Sequence, residues 1–252
     1  MHKKMKKNFL LFIFINILNQ TTTYSQSSFA FGVKGGLSIG QQSWNSNATY
    51  NNSLLFKYHG AAFIETLGRD TTSVLYAQLG YHVRGSAFRF QNSSGYDVSG
   101  NPINIAAYTQ EFQFNNVSLQ IGAKRRGVLG SEHAYYSIGL RAEYTVSTNL
   151  QLPPLYVAYA YSSPVANFVN KFNYGVSVAG GYEFPFSELV GGFVELSVHP
   201  DISKQYFRPP FTAYDPFQRV NVDVPQQDIR NISIELSIGF RFLRKVVEAT
   251  NE

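Results

Sequence analysis

The sequence predicts an all-β fold, an eight-stranded antiparallel up-and-down transmembrane β-barrel with short periplasmic turns and four long extracellular loops. Three observations carry this expectation. Apolar and polar residues alternate with period two in eight segments, and the connections between them are alternately long and short. One face of every segment is free of charge, while the other holds all the strand charges.

The first segment sets Phe29, Phe31, Val33, Leu37 and Ile39 against Ala30, Gly32, Lys34, Gly36 and Ser38. Further segments fall near 56–66, 74–86, 114–124, 135–147, 172–184 and 189–199. The eighth, 232–242, sets Ile232, Ile234, Leu236, Ile238, Phe240 and Phe242 against Ser233, Glu235, Ser237, Gly239 and Arg241. Segments of about ten residues suit a tilted membrane-crossing strand. The long connections are 41–55, 87–113, 148–171 and 200–230, and the short ones are 67–73, 125–134 and 185–188. All six aspartates are expected in connections. An even strand count puts both termini on the short-turn side.

Before the barrel, Lys3, Lys4, Lys6 and Lys7 precede the apolar run Phe9–Leu18, which is too short to span a bilayer as a helix but suits a signal peptide. Residues 1–25 are therefore expected to be a signal peptide, 26–244 the barrel and 245–252 a periplasmic tail. The formal charge of +5 loses its meaning once those four lysines go, since 17 basic residues then face 16 acidic ones. No nucleic-acid partner is implied. The chain has no cysteine, which excludes disulfides, thiolate zinc sites and a cysteine nucleophile.

The charged face should line the lumen. It carries Lys34, Lys57, Glu65, Arg84, Lys124, Arg141, Glu143, Glu183, Glu195, Glu235 and Arg241 among many Gly, Ala and Ser. Eight strands leave an interior just wide enough for side chains to fill. Six cations and five anions can share it only by pairing, because an unpaired buried ion costs several kcal/mol. Lys34 is expected to reach Glu235 or another inward glutamate across the closing seam. Tyr58, Tyr81, Tyr136, Tyr144, Tyr174, Tyr182, Phe184, Phe240 and Phe242 fall outward and toward strand ends, as interfacial girdles require.

The segments FGVKGGLSIG (Phe31–Gly40), LYAQLGYHVRGSA (Leu75–Ala87), GVSVAGGYEF (Gly175–Phe184) and ISIELSIGFRF (Ile232–Phe242) resemble the PorT-like outer-membrane β-barrel family of Bacteroidota. The resemblance implies an eight-stranded outer-membrane barrel without a catalytic motif. Through the family's namesake it also implies an association with type IX secretion. The chain departs from barrels that end on an aromatic, because Phe242 is followed by LRKVVEATNE.

The expected function is thus a non-catalytic barrel with a plugged lumen, acting as a structural, surface-binding or secretion-associated component. Its partners would be outer-membrane lipid and other envelope or secretion-system proteins, with no cofactor and no metal. Two alternatives stand beside it: a small lipid-modifying barrel enzyme, and a soluble exported β-barrel binding an apolar ligand. His199, Asp201 and Tyr206 cluster at the start of the last long loop, and a histidine near a carboxylate can act as a general base. His59, His82 and His199 lack metal-ligand spacing. Asn47, Asn92, Asn116 and Asn231 open glycosylation sequons, a pattern common by chance. The last loop carries Tyr206, Phe207, Arg208, Phe211, Tyr214 and Phe217, which suit a protein or glycan contact surface, or alternatively a lid over the barrel mouth.

Overall fold

The computed structural model describes residues 28–45, 52–67, 72–90, 92–96, 102–128, 131–150, 164–215 and 219–244. The expected signal peptide, the expected tail and Phe217 lie outside the described residues. Eight strands make the wall: β1 (Ser28–Asn45), β2 (Leu55–Leu67), β3 (Ser73–Phe90), β4 (Tyr108–Val128), β5 (Ser131–Thr148), β6 (Phe172–Pro185), β7 (Val190–Pro200) and β8 (Gln227–Arg244). Each pairs antiparallel with its neighbours in chain order. β8 then pairs with β1 in one register from Phe29↔Arg244 to Asn45↔Asp228, which closes the ring. Closure is what a hydrocarbon setting demands, since an open edge would leave backbone N–H and C=O groups without partners.

All eight expected segments are strands, but several run further toward the long-loop end. β1 continues to Asn45, β3 to Phe90, and β4 begins at Tyr108. The outward residues there turn polar, as with Gln41, Ser43 and Asn45, so the apolar alternation stops while the hydrogen-bond ladder goes on. The same extension corrects the placement of the aspartates. Asp228 lies in β8 opposite Asn45, and Asp215 and Asp223 lie in the small hairpin Phe211–Asp215/Val220–Val224. A strand that has left the hydrocarbon tolerates aspartate.

The opposite end is tight. β4 and β5 are joined through the pair Val128↔Ser131, with Gly127 at φ 74°. The β6–β7 turn closes with Phe186 N–H donating to Val190 C=O at 3.0 Å. Below those polar ends the outer wall is apolar: Leu75, Ile121, Leu140, Leu236 and Ile238 are all exposed, Leu140 by 72%. The nine expected girdle aromatics are exposed on the same surface. Water would not tolerate so large a continuous apolar surface on a monomer, but lipid does.

One seam is irregular. The β2–β3 ladder runs from Leu67↔Val74 to His59↔His82 and stops there. Pairing resumes only where Asn52 and Ser53 meet Phe88 and Ala87. Gly85, at φ 147°, lets β3 bend inward within the gap. A Cβ there would meet Phe112 O at 1.9 Å, so only glycine fits.

Candidate functional site

The alternation that puts leucines outside puts the charges inside, where they stack in layers along the lumen. At the short-turn end, Glu65 and Glu183 share Lys124, Arg126 and Arg241. Lys124 reaches them at 2.9 and 2.6 Å, Arg126 at 2.7 and 3.0 Å, and Arg241 at 3.2 and 3.4 Å. The next layer is the pair Lys34–Glu195 at 2.5 Å, with Tyr135 O–H donating to the other Glu195 oxygen at 2.9 Å. Lys124 lies 3.9 Å above the Tyr135 ring, and Phe63 and Phe193 meet edge to face beside it.

Glu235 holds the middle. Its carboxylate faces His82 Nδ1 at 2.7 Å, His199 Nε2 at 3.1 Å, Ser38 Oγ at 3.4 Å and His59 Nε2 at 3.8 Å. His59 also meets Ser237 Oγ at 2.9 Å, while His199 meets Ser197 and Ser177 at 2.9 and 2.8 Å. Above this, Arg84 donates to Glu143 at 2.8 Å, and Arg141 bridges Glu143, at 3.0 Å, to Asp201. Asn231 closes the layer on Asp201 at 3.1 Å.

The mouth at the long-loop end is capped by apolar side chains. Inward Trp44, Phe88, Phe112, Phe114 and Ile229 pack with Leu150, Val169 and Tyr206 from the loops. The Trp44 and Phe88 rings lie 4.8 Å apart, edge to face. Tyr206 is fully buried in this cap, and the strand Tyr206–Arg208 is sewn to β8 by Tyr206↔Ile229 and Arg208↔Gln227.

Ten of the eleven expected lumen charges are therefore inside and paired. Lys57 is the exception: it sits at the mouth, about a quarter exposed, and pairs with Glu111 at 2.8 Å. Lys57 lies where the β2–β3 ladder is interrupted, between His59↔His82 and Ser53↔Ala87, and its ammonium reaches Glu111 on β4 there. The Lys34 expectation resolves to Glu195, because Glu235 stands opposite Ser38, four residues further along β1. Sequence reasoning missed Arg126, although carrying the period two residues past Lys124 would have found it. Asp201 was missed as a lumen anion because it follows the last outward-alternating residue of β7. With these, six cations and six anions pair inside the lumen among the described residues.

The expected contact loop divides. Tyr206 and Arg208 are buried and belong to the lid, while Phe207, Phe211 and Tyr214 are exposed. Asn116 and Asn231, two of the sequon asparagines, are buried in the lumen.

Chemically, the lumen is a set of ion pairs and hydrogen bonds among buried side chains. Ser177, His199 and Glu235 form a hydrogen-bonded chain, but Ser177 is only 1% exposed. The cavity that reaches His199 is small, about 30 Å³. Among the described residues, no group of three or more His, Asp or Glu is arranged to hold a metal ion.

The family model for the outer membrane protein beta-barrel domain matches residues 20–198. No curated protein matches the chain. Among solved structures, OprG of Pseudomonas aeruginosa is similar at 8% identity and a TM-score of 0.43, with 84% of this chain and 95% of that one covered. Neisserial surface protein A is similar at 12% identity and 0.38, covering 86% and 99%. The outer membrane protease OmpT of Escherichia coli is similar at 13% identity and 0.37, covering 89% and 99%.

Proposed function

Since the chain belongs to the outer membrane β-barrel domain family, we propose that it is a non-catalytic barrel with a closed lumen, serving as a rigid platform for its extracellular loops. It sits in the lipid of the Gram-negative outer membrane. The finer assignment is our own reading: a PorT-like component of Bacteroidota, exported by the N-terminal signal peptide and associated with other envelope or secretion-system proteins. The observation that carries the closed-lumen reading is the stack of ion pairs from Arg241 up to Arg84, sealed by the apolar cap. A channel needs a continuous wet path, whereas here paired side chains fill the lumen and the cavity beside His199 is about 30 Å³. The buried serine–histidine–glutamate chain supports a structural role for the same reason.

The reading places both termini in the periplasm and the hairpin Phe211–Asp215/Val220–Val224 outside the cell, with exposed Phe211 and Tyr214 as its contact side chains. Two measurements test it. Purified protein in planar bilayers should give no stepwise conductance, and steady channel openings would overturn the closed lumen. Affinity purification from cross-linked outer membranes should retain envelope proteins, fewer of them when Phe211 and Tyr214 are both changed to Ser. An unchanged set would overturn the platform role.

A further inference from the structure

The broken seam between β2 and β3 opens a cleft of about 500 Å³ on the outside of the wall. Leu54, Phe56, Arg89, Tyr108, Thr109 and Glu111 line it. Its lining is graded from apolar to charged. Phe56 pairs with Ile39, which pairs with Ile234, so Phe56 sits at the register of the lipid-facing band. Phe56 and Leu54 are 61% and 48% exposed, and Tyr108 is 41% exposed. Ser53 pairs with Ala87, which puts Arg89 two residues beyond that pair, on the side away from the band. The cleft thus has an apolar end level with lipid and a cationic end level with headgroups.

The charges in the cleft are unequal. Glu111 is already neutralised by Lys57 at 2.8 Å. Arg89 has no ion-pair partner among the described residues. Among the described residues, the cleft therefore offers a guanidinium without an ionic partner beside the exposed side chains of Leu54 and Phe56.

We propose that this cleft binds one outer-leaflet lipid, with a phosphate of its headgroup on Arg89 and the start of an acyl chain against Leu54 and Phe56. Guanidinium and phosphate match in geometry, and the pair is charge-assisted. The gap in the ladder gives the lipid its place. Between His59 and Ser53 the ladder of β2 with β3 is interrupted, and a headgroup with its bound water can meet polar groups there. The proposal rests on the orientation given above, with the long loops outside.

The test uses the full mature chain in nanodiscs of phosphatidylcholine doped with monophosphoryl lipid A, with retained lipid counted by native mass spectrometry. One lipid A should stay bound to the wild type. Arg89→Ala should weaken retention about tenfold, as for loss of one charge-assisted pair, and Arg89→Lys by less. Heat-modifiable gel mobility should be unchanged in both variants. Equal retention by Arg89→Ala would overturn the site, as would equal retention of dephosphorylated lipid A. Displacement of the lipid by millimolar inorganic phosphate would mean a free-anion site and would overturn the lipid assignment. The chain has no native cysteine, so Thr109→Cys provides a single label site. On intact cells it should react with a membrane-impermeant maleimide. Labelling only after permeabilisation would overturn the proposal together with the orientation beneath it.

Discussion

The Lys34–Glu195 pair and the five-membered cluster at the short-turn end bury carboxylates in different ways. The pair is dry, with side-chain exposures of 8% and 9%, and each ion has one close ionic partner. In the cluster each of two carboxylates touches three cations, and Arg241 is 20% exposed. The cluster is redundant and partly wet, whereas the pair is neither. Position in the lumen, rather than charge alone, should therefore set the cost of losing a partner.

The largest effect is expected at the pair. Lys34→Met should destabilise the barrel by about 3–5 kcal/mol in urea titration from detergent, because it strands Glu195. Adding Glu195→Gln should restore most of the loss, while adding Glu235→Gln should not. Rescue by Glu235→Gln would mean that the registers of β1 and β8 differ from those described. A second substitution probes the same depth from the other side of the wall. Leu236 neighbours Glu235 but faces lipid, so Leu236→Arg should cost about 2–4 kcal/mol in the same titration. Tolerance there would mean that the outward face is not in hydrocarbon.

The cluster should respond less. Glu183→Gln leaves Glu65 within reach of all three cations near water, and a loss of about 1–2 kcal/mol is expected. A loss as large as that of Lys34→Met would erase the contrast between wet and dry layers. The smallest effect belongs to Lys57→Ala, whose partly exposed pair with Glu111 should contribute under about 1 kcal/mol. Thermal gel-shift midpoints indistinguishable from wild type would agree with that placement.

What could be read from the sequence follows from which forces are periodic. Lipid imposes a two-residue rhythm, so the eight strands, the girdles and ten lumen charges could be read directly from it. Where the strands leave lipid the rhythm fades, and Asp228 and the ends of β3 and β4 were invisible for that reason. Partner choice inside the lumen depends on register and side-chain length across strands that are distant in sequence. Nothing local in the sequence distinguishes Glu195 from Glu235 as the mate of Lys34. The inward bend at Gly85 leaves no mark but a glycine, one among 20 in the chain. Tyr206 and Phe211, five residues apart in one aromatic loop, end in opposite environments because only the first reaches the gap over Ile229.

β8 is the last strand among the described residues, and it is flanked by both β7 and β1. Pairing Phe29 with Arg244 closes nearly the whole polypeptide into one loop, so this seam is the most expensive in chain entropy and the slowest to find. Until it forms, β1 and β7 each present a free edge, and the half-built interior is open to water. Glu235 arrives with β8, and only then do the histidines of β2, β3 and β7 gain the carboxylate they surround. The same strand thus both seals the wall and completes the charge balance of the interior. A chain cut short of β8 would carry sticky edges and an unneutralised interior at once, the form that envelope quality control can recognise and degrade.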